Sequence, residues 1–229
     1  MNRNITAALG LAALVACTAT PSAAASFLLD FGNTGCTFNG GECLIPQTYG
    51  DGAGYDVSFQ TVSALTGQSV GSLKYWTEYG DLSGVLYAGN DATNFFGELR
   101  VTAAAGYKVA LQSFDFATFA NNTAQSPFAV LDLAGATLAA FTGSTNWPTH
   151  GHADVNTAML DGFVVRWGPD AYNVAIDNVR FSVSAPTGAV PEPSAWALMI
   201  IGFGAAGSLL RAQRRSHRRS ASVPQAIVG

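Results

Sequence analysis

His150-Gly151-His152-Ala153-Asp154 is the densest run of ligating side chains in this chain. In extended backbone alternate residues face one way, so both imidazoles and the carboxylate would point to one side and could converge on a transition metal. The run follows Trp147-Pro148 in a segment of loop character, and spacing supplies neither a fourth ligand nor a general base. The alternative is a pair of solvated loop histidines. No nucleophile elbow is expected, and no Gly-Lys-Ser/Thr loop is present to cradle phosphate. A carboxylate pair for glycoside hydrolysis can come from distant strands of a β protein, so fourteen acidic residues between 26 and 189 give no assignable pair.

Aromatic side chains offer a chemistry without catalysis. Trp76, Tyr79, Trp147 and Trp167 carry flat faces that could stack on sugar rings, with Trp76 and Trp147 the ligand-binding candidates. Against this, aromatics at strand positions commonly belong to the core. Asn121-Asn122-Thr123 spells a glycosylation sequon, which in a bacterial-type export context marks a polar loop.

The elements that must position these residues have a period of two. Phe27, Leu29 and Phe31 alternate with Leu28 and Asp30; Tyr55, Val57 and Phe59 with Asp56, Ser58 and Gln60; Leu73, Tyr75, Thr77 and Tyr79 with Lys74, Trp76 and Glu78. Further strands are expected at Val85–Tyr87, Gly97–Ala104, Tyr107–Phe119, Phe128–Leu133, Thr137–Phe141, Gly162–Trp167 and Tyr172–Val183, separated by Gly, Asn, Asp and Pro clusters. The expected fold class is all-β, a two-sheet β-sandwich of jelly-roll type. The apolar phase slips near Ser113-Phe114 and again after Asp177-Asn178. A period of two cannot slip by one without a bulge.

Ala175-Ile176-Asp177-Asn178-Val179-Arg180-Phe181 resembles the last strand of carbohydrate-binding jelly rolls. That resemblance implies a structural calcium held by an acid near the terminal strands, here Asp177 with Asp30 on the first strand, through hard carboxylate oxygens. The competing role for Asp177 is to cap a bulge or turn. No other cofactor is expected.

Residues 26–189 make one domain, large enough for its own hydrophobic core. Fourteen Asp and Glu face only Lys74, Arg100, Lys108, Arg166 and Arg180, a formal charge of minus nine, whereas the whole chain is minus four. Nucleic acid is thus excluded as a partner, because no basic patch is available to neutralise phosphates. Cys36 and Cys43 form an even pair that suggests a disulfide closing a short loop. Two cysteines without a nearby histidine are too few for a metal.

The two ends say how the chain is handled. Arg3, the apolar run Ile5 to Ala16 and Ala23-Ala24-Ala25 read as a signal peptide over residues 1–25, directing export through the Sec machinery. The alternative is a lipoprotein signal, with Cys17 after Leu14-Val15-Ala16 lipidated as the mature terminus. At the other end Pro191-Glu192-Pro193 precedes sixteen nearly uncharged residues, Ala195 to Leu210, and then Arg211, Arg214, Arg215, Arg218 and Arg219. Sixteen helical residues reach roughly 24 Å, against about 30 Å of hydrocarbon, so a single transmembrane helix is expected with Trp196 at its outer edge. The arginines place the C-terminus on the cytoplasmic side.

Pro191-Glu192-Pro193-Ser194-Ala195-Trp196-Ala197-Leu198, the glycine-rich run and the arginines together resemble the PEP-CTERM sorting signal in its PEPxxWA variant, over residues 190–219. The resemblance implies recognition by an exosortase, transient anchoring in the inner membrane, removal of the helix, and release to the cell surface or medium. It leaves 220–229 as a tail, and the stretch from Ser216 onward is longer than the family's usual arginine end. Three functions follow as expectations. The leading one is a non-catalytic surface or extracellular-matrix protein associated with exopolysaccharide or biofilm. A carbohydrate-binding jelly-roll module and a metal-dependent or glycoside hydrolase are the alternatives.

Overall fold

The computed structural model describes residues 24–33, 43–89, 94–120, 123–186 and 193–220. In chain order the strands are β1 (Ala25–Leu29), β2 (Cys43–Leu44), β3 (Tyr55–Ser63), β4 (Ser69–Gly71), β5 (Lys74–Trp76), β6 (Val85–Tyr87) and β7 (Phe95–Ala103). They continue with β8 (Lys108–Thr118), β9 (Thr123–Asp132), β10 (Thr137–Asn146), β11 (Gly151–Asp154), β12 (Gly162–Trp167) and β13 (Val174–Ser184). A 3-10 turn, Phe31–Asn33, follows β1, and helix α1 spans Pro193–Ser220. Residues 22–187 form one compact unit, and the C-terminal helix belongs to another.

The strands build two sheets. One runs β11-β8-β13-β6-β5-β2, with β1 also pairing β13; the other runs β10-β9-β12-β7-β3-β4. Pairing is antiparallel and nested, β8 with β13 around β9 with β12, while consecutive strands from β7 to β9 and from β10 to β13 change sheet. This is the wrapping of a jelly roll. The alternating apolar residues explain it: Tyr55, Val57 and Phe59 of β3, Leu99 and Val101 of β7, Phe163, Val165 and Trp167 of β12, and Ile176, Val179 and Phe181 of β13 all bury into one cluster between the sheets. Trp167 is fully buried, and its indole N–H donates to the Val174 carbonyl at 2.9 Å. Its ring lies across Gly97, where a Cβ would come within 2.3 Å of it. Glycine is therefore required at 97 for space, not for torsion.

Both phase slips resolve as one bulged level. Register shifts between Asp177 and Arg180 opposite Ser113 and Asp115, and Asn178 takes φ 50°. On the other side of β8, Val155 and Asn156 both donate to the Gln112 carbonyl, with Asn156 at φ 53°. The sheet turns its side chains over at this level.

Two expectations need correction. The first strand stops at Leu29, and Phe31 enters the core from a 3-10 turn instead. The strand expected over Leu73 to Tyr79 ends at Trp76, because Thr77 to Gly84 form a turn closed by Gly84 N–H to the Thr77 carbonyl. Gly84 (φ 106°) passes so close to Gly32 that a Cβ would meet its Cα at 2.6 Å. α1 covers the expected membrane segment; among the described residues no helix is long and apolar enough to cross a membrane. The apolar run is only sixteen residues, interrupted by Gly202, Gly204 and Gly207, and the helix continues directly into the arginines.

Candidate functional site

The outer faces of the two sheets gather the reactive side chains. On the seven-stranded sheet, His152 of β11 lies opposite Asp115 of β8, which lies opposite Asp177 of β13. Residues directly opposite share a face, so these three form a row across three strands. The Asp115 carboxylate is held at both oxygens, 2.5 Å from His152 Nδ1 and 2.9 Å from the donating Asn178 side-chain amide. The Asn178 bulge aims that amide. The hydrogen bond that the imidazole donates to Asp115 raises the His152 pKa against the opposing effect of burial, with Asp154 adding to the rise. Burial pushes Asp177 up to about 6, helped by the charges of Asp30 and Asp115 and restrained by backbone N–H groups of Asn178 and Phe31.

His152 and Asp154 share the outward side of edge strand β11, where a loop was expected, and His150 immediately precedes that strand. They do not converge. At 3.2–3.4 Å per residue, four residues of strand spread His150 and Asp154 roughly 13 Å apart. His150 Nδ1 pairs instead with Asp81 Oδ1 at 2.7 Å, while His152 Nε2 lies 3.4 Å from Asp154 Oδ1. Among the described residues no three His, Cys, Asp or Glu side chains are placed to hold a metal ion.

Asp30 and Asp177 meet at the 3-10 turn. Asp177 Oδ1 accepts the Phe31 N–H at 3.2 Å and Asp30 Oδ1 accepts the Gly32 N–H at 2.8 Å. Each carboxylate thus caps a donor the short turn leaves unmatched. Cys43 is half-buried and disulfide-bonded, and its expected partner Cys36 lies outside the described residues.

Beside this row, Tyr79, Leu82, Val85, Tyr87, Ala117 and Ala175 bury into a second, smaller cluster on the same outer face. Trp76 packs on it, edge-to-face with Phe119 at 6.1 Å. The Tyr79 hydroxyl donates to the Tyr172 carbonyl at 2.5 Å, and burial drives its pKa far above the ordinary phenol. Trp76 is therefore part of a packed aromatic group, not an open platform. Trp147 is half-buried in the turn after β10, and Tyr79 and Trp167 are core.

The six-stranded sheet presents a different face. Register places Ala140 of β10, Ala129 of β9, Arg166 of β12, Glu98 of β7 and Gln60 of β3 in one transverse row. Two positions along, Thr142, Pro127 and Phe96 form a second row. Between them runs a trough of about 400 Å³ lined by Phe96, Pro127, Ala129, Ala140, Thr142 and Arg166. Arg166 Nε donates to Glu98 Oε1 at 2.6 Å, its second nitrogen reaches the same oxygen, and its guanidinium carbon lies 5.8 Å from the Phe96 ring centre. The Glu98 side chain is 6% exposed and that of Arg166 41%. Sequence reasoning places these residues on strands but has no signal for their meeting. Asp81 and Asp115, the partners of the histidines, are missed for the same reason.

One short motif also needs correction. Gly67-Gln68-Ser69-Val70-Gly71 carries the Gly-x-Ser-x-Gly spacing of a nucleophile elbow. Ser69 opens the exposed edge strand β4 at the end of a turn, with no strand-to-helix elbow, and both candidate histidines engage carboxylates on the other sheet.

Of the sorting residues, Pro193, Trp196, Arg211, Arg214 and Arg215 lie within α1; Pro191 and Glu192 lie outside the described residues. Residues 189–215 match the PEP-CTERM protein-sorting motif. The chain carries a PEP-CTERM sorting signal. The PEP-CTERM match marks an exported protein. No curated protein matches the chain in sequence.

Among solved structures, the enzymatically active domain of bacteriophage CBA120 tailspike protein 4 is 10% identical, with TM-score 0.33 over 55% of this chain and 19% of that one. An exo-beta-1,3-galactanase from Phanerochaete chrysosporium is 12% identical, with TM-score 0.31 over 54% and 28%. A family 29 carbohydrate binding module is 11% identical, with TM-score 0.34 over 75% and 99%. The chain spans less than a third of the length of the first three structures it matches.

Proposed function

We propose that this chain is an exported, non-catalytic surface or extracellular-matrix protein, sorted by an exosortase and associated with exopolysaccharide. The sorting motif at residues 189–215 carries the reading. The Sec machinery exports the chain, the signal peptide is removed after Ala25, and the helix following Pro191-Glu192-Pro193 holds the precursor at the inner membrane. Exosortase cleavage then frees the sandwich to the cell surface or the medium. The state of the polar side chains supports a role without catalysis. Asp115 is held on both oxygens, Asp30 and Asp177 cap a turn, and the imidazoles of His150 and His152 are each committed to a carboxylate.

Mass spectrometry of both ends of the exported protein tests this reading. The expected product begins near Ser26 and lacks α1. Replacing Pro191-Glu192-Pro193 by alanines, or deleting the exosortase, should leave a heavier, membrane-bound form. Identical processing in wild type and in both altered backgrounds would contradict the proposal.

The second reading, a carbohydrate-binding module, is favoured by the trough on the six-stranded sheet. There an aromatic ring, a paired guanidinium and small residues share one accessible face.

A further inference from the structure

We infer that the trough across β10, β9, β12 and β7 is a binding site for an uncharged polysaccharide chain, laid across the strands. This inference rests on the exopolysaccharide-associated reading and names its site. The direction comes from register: Ala140, Ala129, Arg166 and Glu98 sit opposite one another on four successive strands, so the small residues open a path perpendicular to the strand axes. Neighbouring strands lie about 4.8 Å apart, so four strands span roughly 14 Å, the scale of two to three sugar units.

The chemistry of the walls selects the ligand. Phe96 offers an apolar ring beside the path, suited to the C–H face of a pyranose. Arg166 retains an accessible guanidinium edge, and Thr142 is exposed across the path with a hydroxyl that both donates and accepts. The Glu98 carboxylate underneath fixes the guanidinium plane, so the donors are pre-organised before a ligand arrives. The same carboxylate neutralises the arginine, and the domain carries minus nine in all. An acidic polymer would therefore meet no net attraction, while a neutral polyhydroxylated chain meets a ring and fixed polar groups without charge to desolvate.

Affinity gel electrophoresis of the exported protein tests this, with hydroxyethylcellulose, xylan and galactomannan as neutral probes and alginate as the acidic one. At least one neutral polymer should retard the wild type, and alginate should not. Phe96→Ala should weaken that retardation at least tenfold. Ala140→Trp fills the trough from an exposed edge position and should do the same without touching the core, whereas Trp76→Ala should leave it within twofold. No retardation by any neutral polymer, or stronger retardation by alginate, overturns the ligand class. Retardation that survives both Phe96→Ala and Ala140→Trp overturns the site while leaving polysaccharide association standing. The masses of the protein's ends, measured on the same preparation, report export and sorting independently of either result.

Discussion

The two outer faces of this sandwich treat charged side chains in opposite ways. On the seven-stranded sheet the acids and histidines are partnered with one another or with turn backbone, and a second apolar cluster covers the surface next to them. On the six-stranded sheet a buried carboxylate supports an arginine that stays accessible at the edge of a trough. A charge pair is thus a structural fastening on one face and a presented group on the other. The two ion pairs differ in burial: the Glu98 side chain is nearly inaccessible, whereas the Asp81 and His150 side chains are 53% and 38% exposed.

The sharpest way to break this contrast is Arg166→Ala. It removes the cation from a carboxylate that is itself buried under a half-exposed arginine, which costs about 2 kcal/mol, between an exposed pair and a fully buried one. Arg166→Lys should recover only part of this, because an ammonium cannot reproduce the two nitrogen contacts to one oxygen. Urea unfolding of the three proteins measures it. A loss below 1 kcal/mol for Arg166→Ala would mean that the pair is no more than a surface contact.

A middle-sized effect is expected from the row His152, Asp115 and Asp177. Asp177 has a folded pKa of about 6, above the ordinary carboxylate value, so the fold binds its proton before the unfolded chain does. Its ionised form weakens the fold at neutral pH, and stability rises as pH falls from above 6 towards 4. His152 is also raised, so its contribution is complete below the ordinary imidazole value and is lost as pH climbs through the raised one. Both groups favour mild acid. Asp81 acts oppositely: burial alone would raise it, but the hydrogen bond and charge of His150 outweigh that and hold it low, so its contribution disappears in strong acid. Thermal unfolding should give a midpoint a few degrees higher at pH 5 than at pH 8. In Asp177→Asn, whose amide oxygen can still accept from Phe31, much of that gain should vanish. An unchanged pH profile would remove Asp177 from the account.

What was legible in the sequence follows the range of each signal. The sorting motif is linear, so its residues identify it without a fold. The sandwich was legible because inward residues alternate along each strand, and the bulge at Asn178 left its mark as a phase slip. Edge strand β11 was not legible, since Gly151-His152-Ala153-Asp154 contains no β-branched or aromatic residue. It forms because β8 offers backbone partners and Gly151 leaves room for the Phe116 ring, which a Cβ would approach to 2.5 Å. The trough was least legible of all. Glu98 and Arg166 are 68 positions apart, and only the register of β7 on β12 makes them neighbours. Of the two aromatics that looked best suited to a ligand, Trp76 was taken up by packing and Trp147 lies half-buried in the turn after β10.

The smallest effect tests the other side of the contrast. Asp81→Ala removes a carboxylate 2.7 Å from His150, a distance as short as many strong pairs. Both side chains face water, however, and the free imidazole can be solvated once its partner is gone. An exposed pair of this kind contributes about 0–1 kcal/mol. Urea unfolding at pH 7 should therefore place Asp81→Ala within about 1 kcal/mol of wild type, and 0.5 M salt should reduce even that difference by screening. A loss matching that of Arg166→Ala would show that the turn carrying Asp81 is clamped to β11 through this contact. The seven-stranded face would then depend on its histidines for stability.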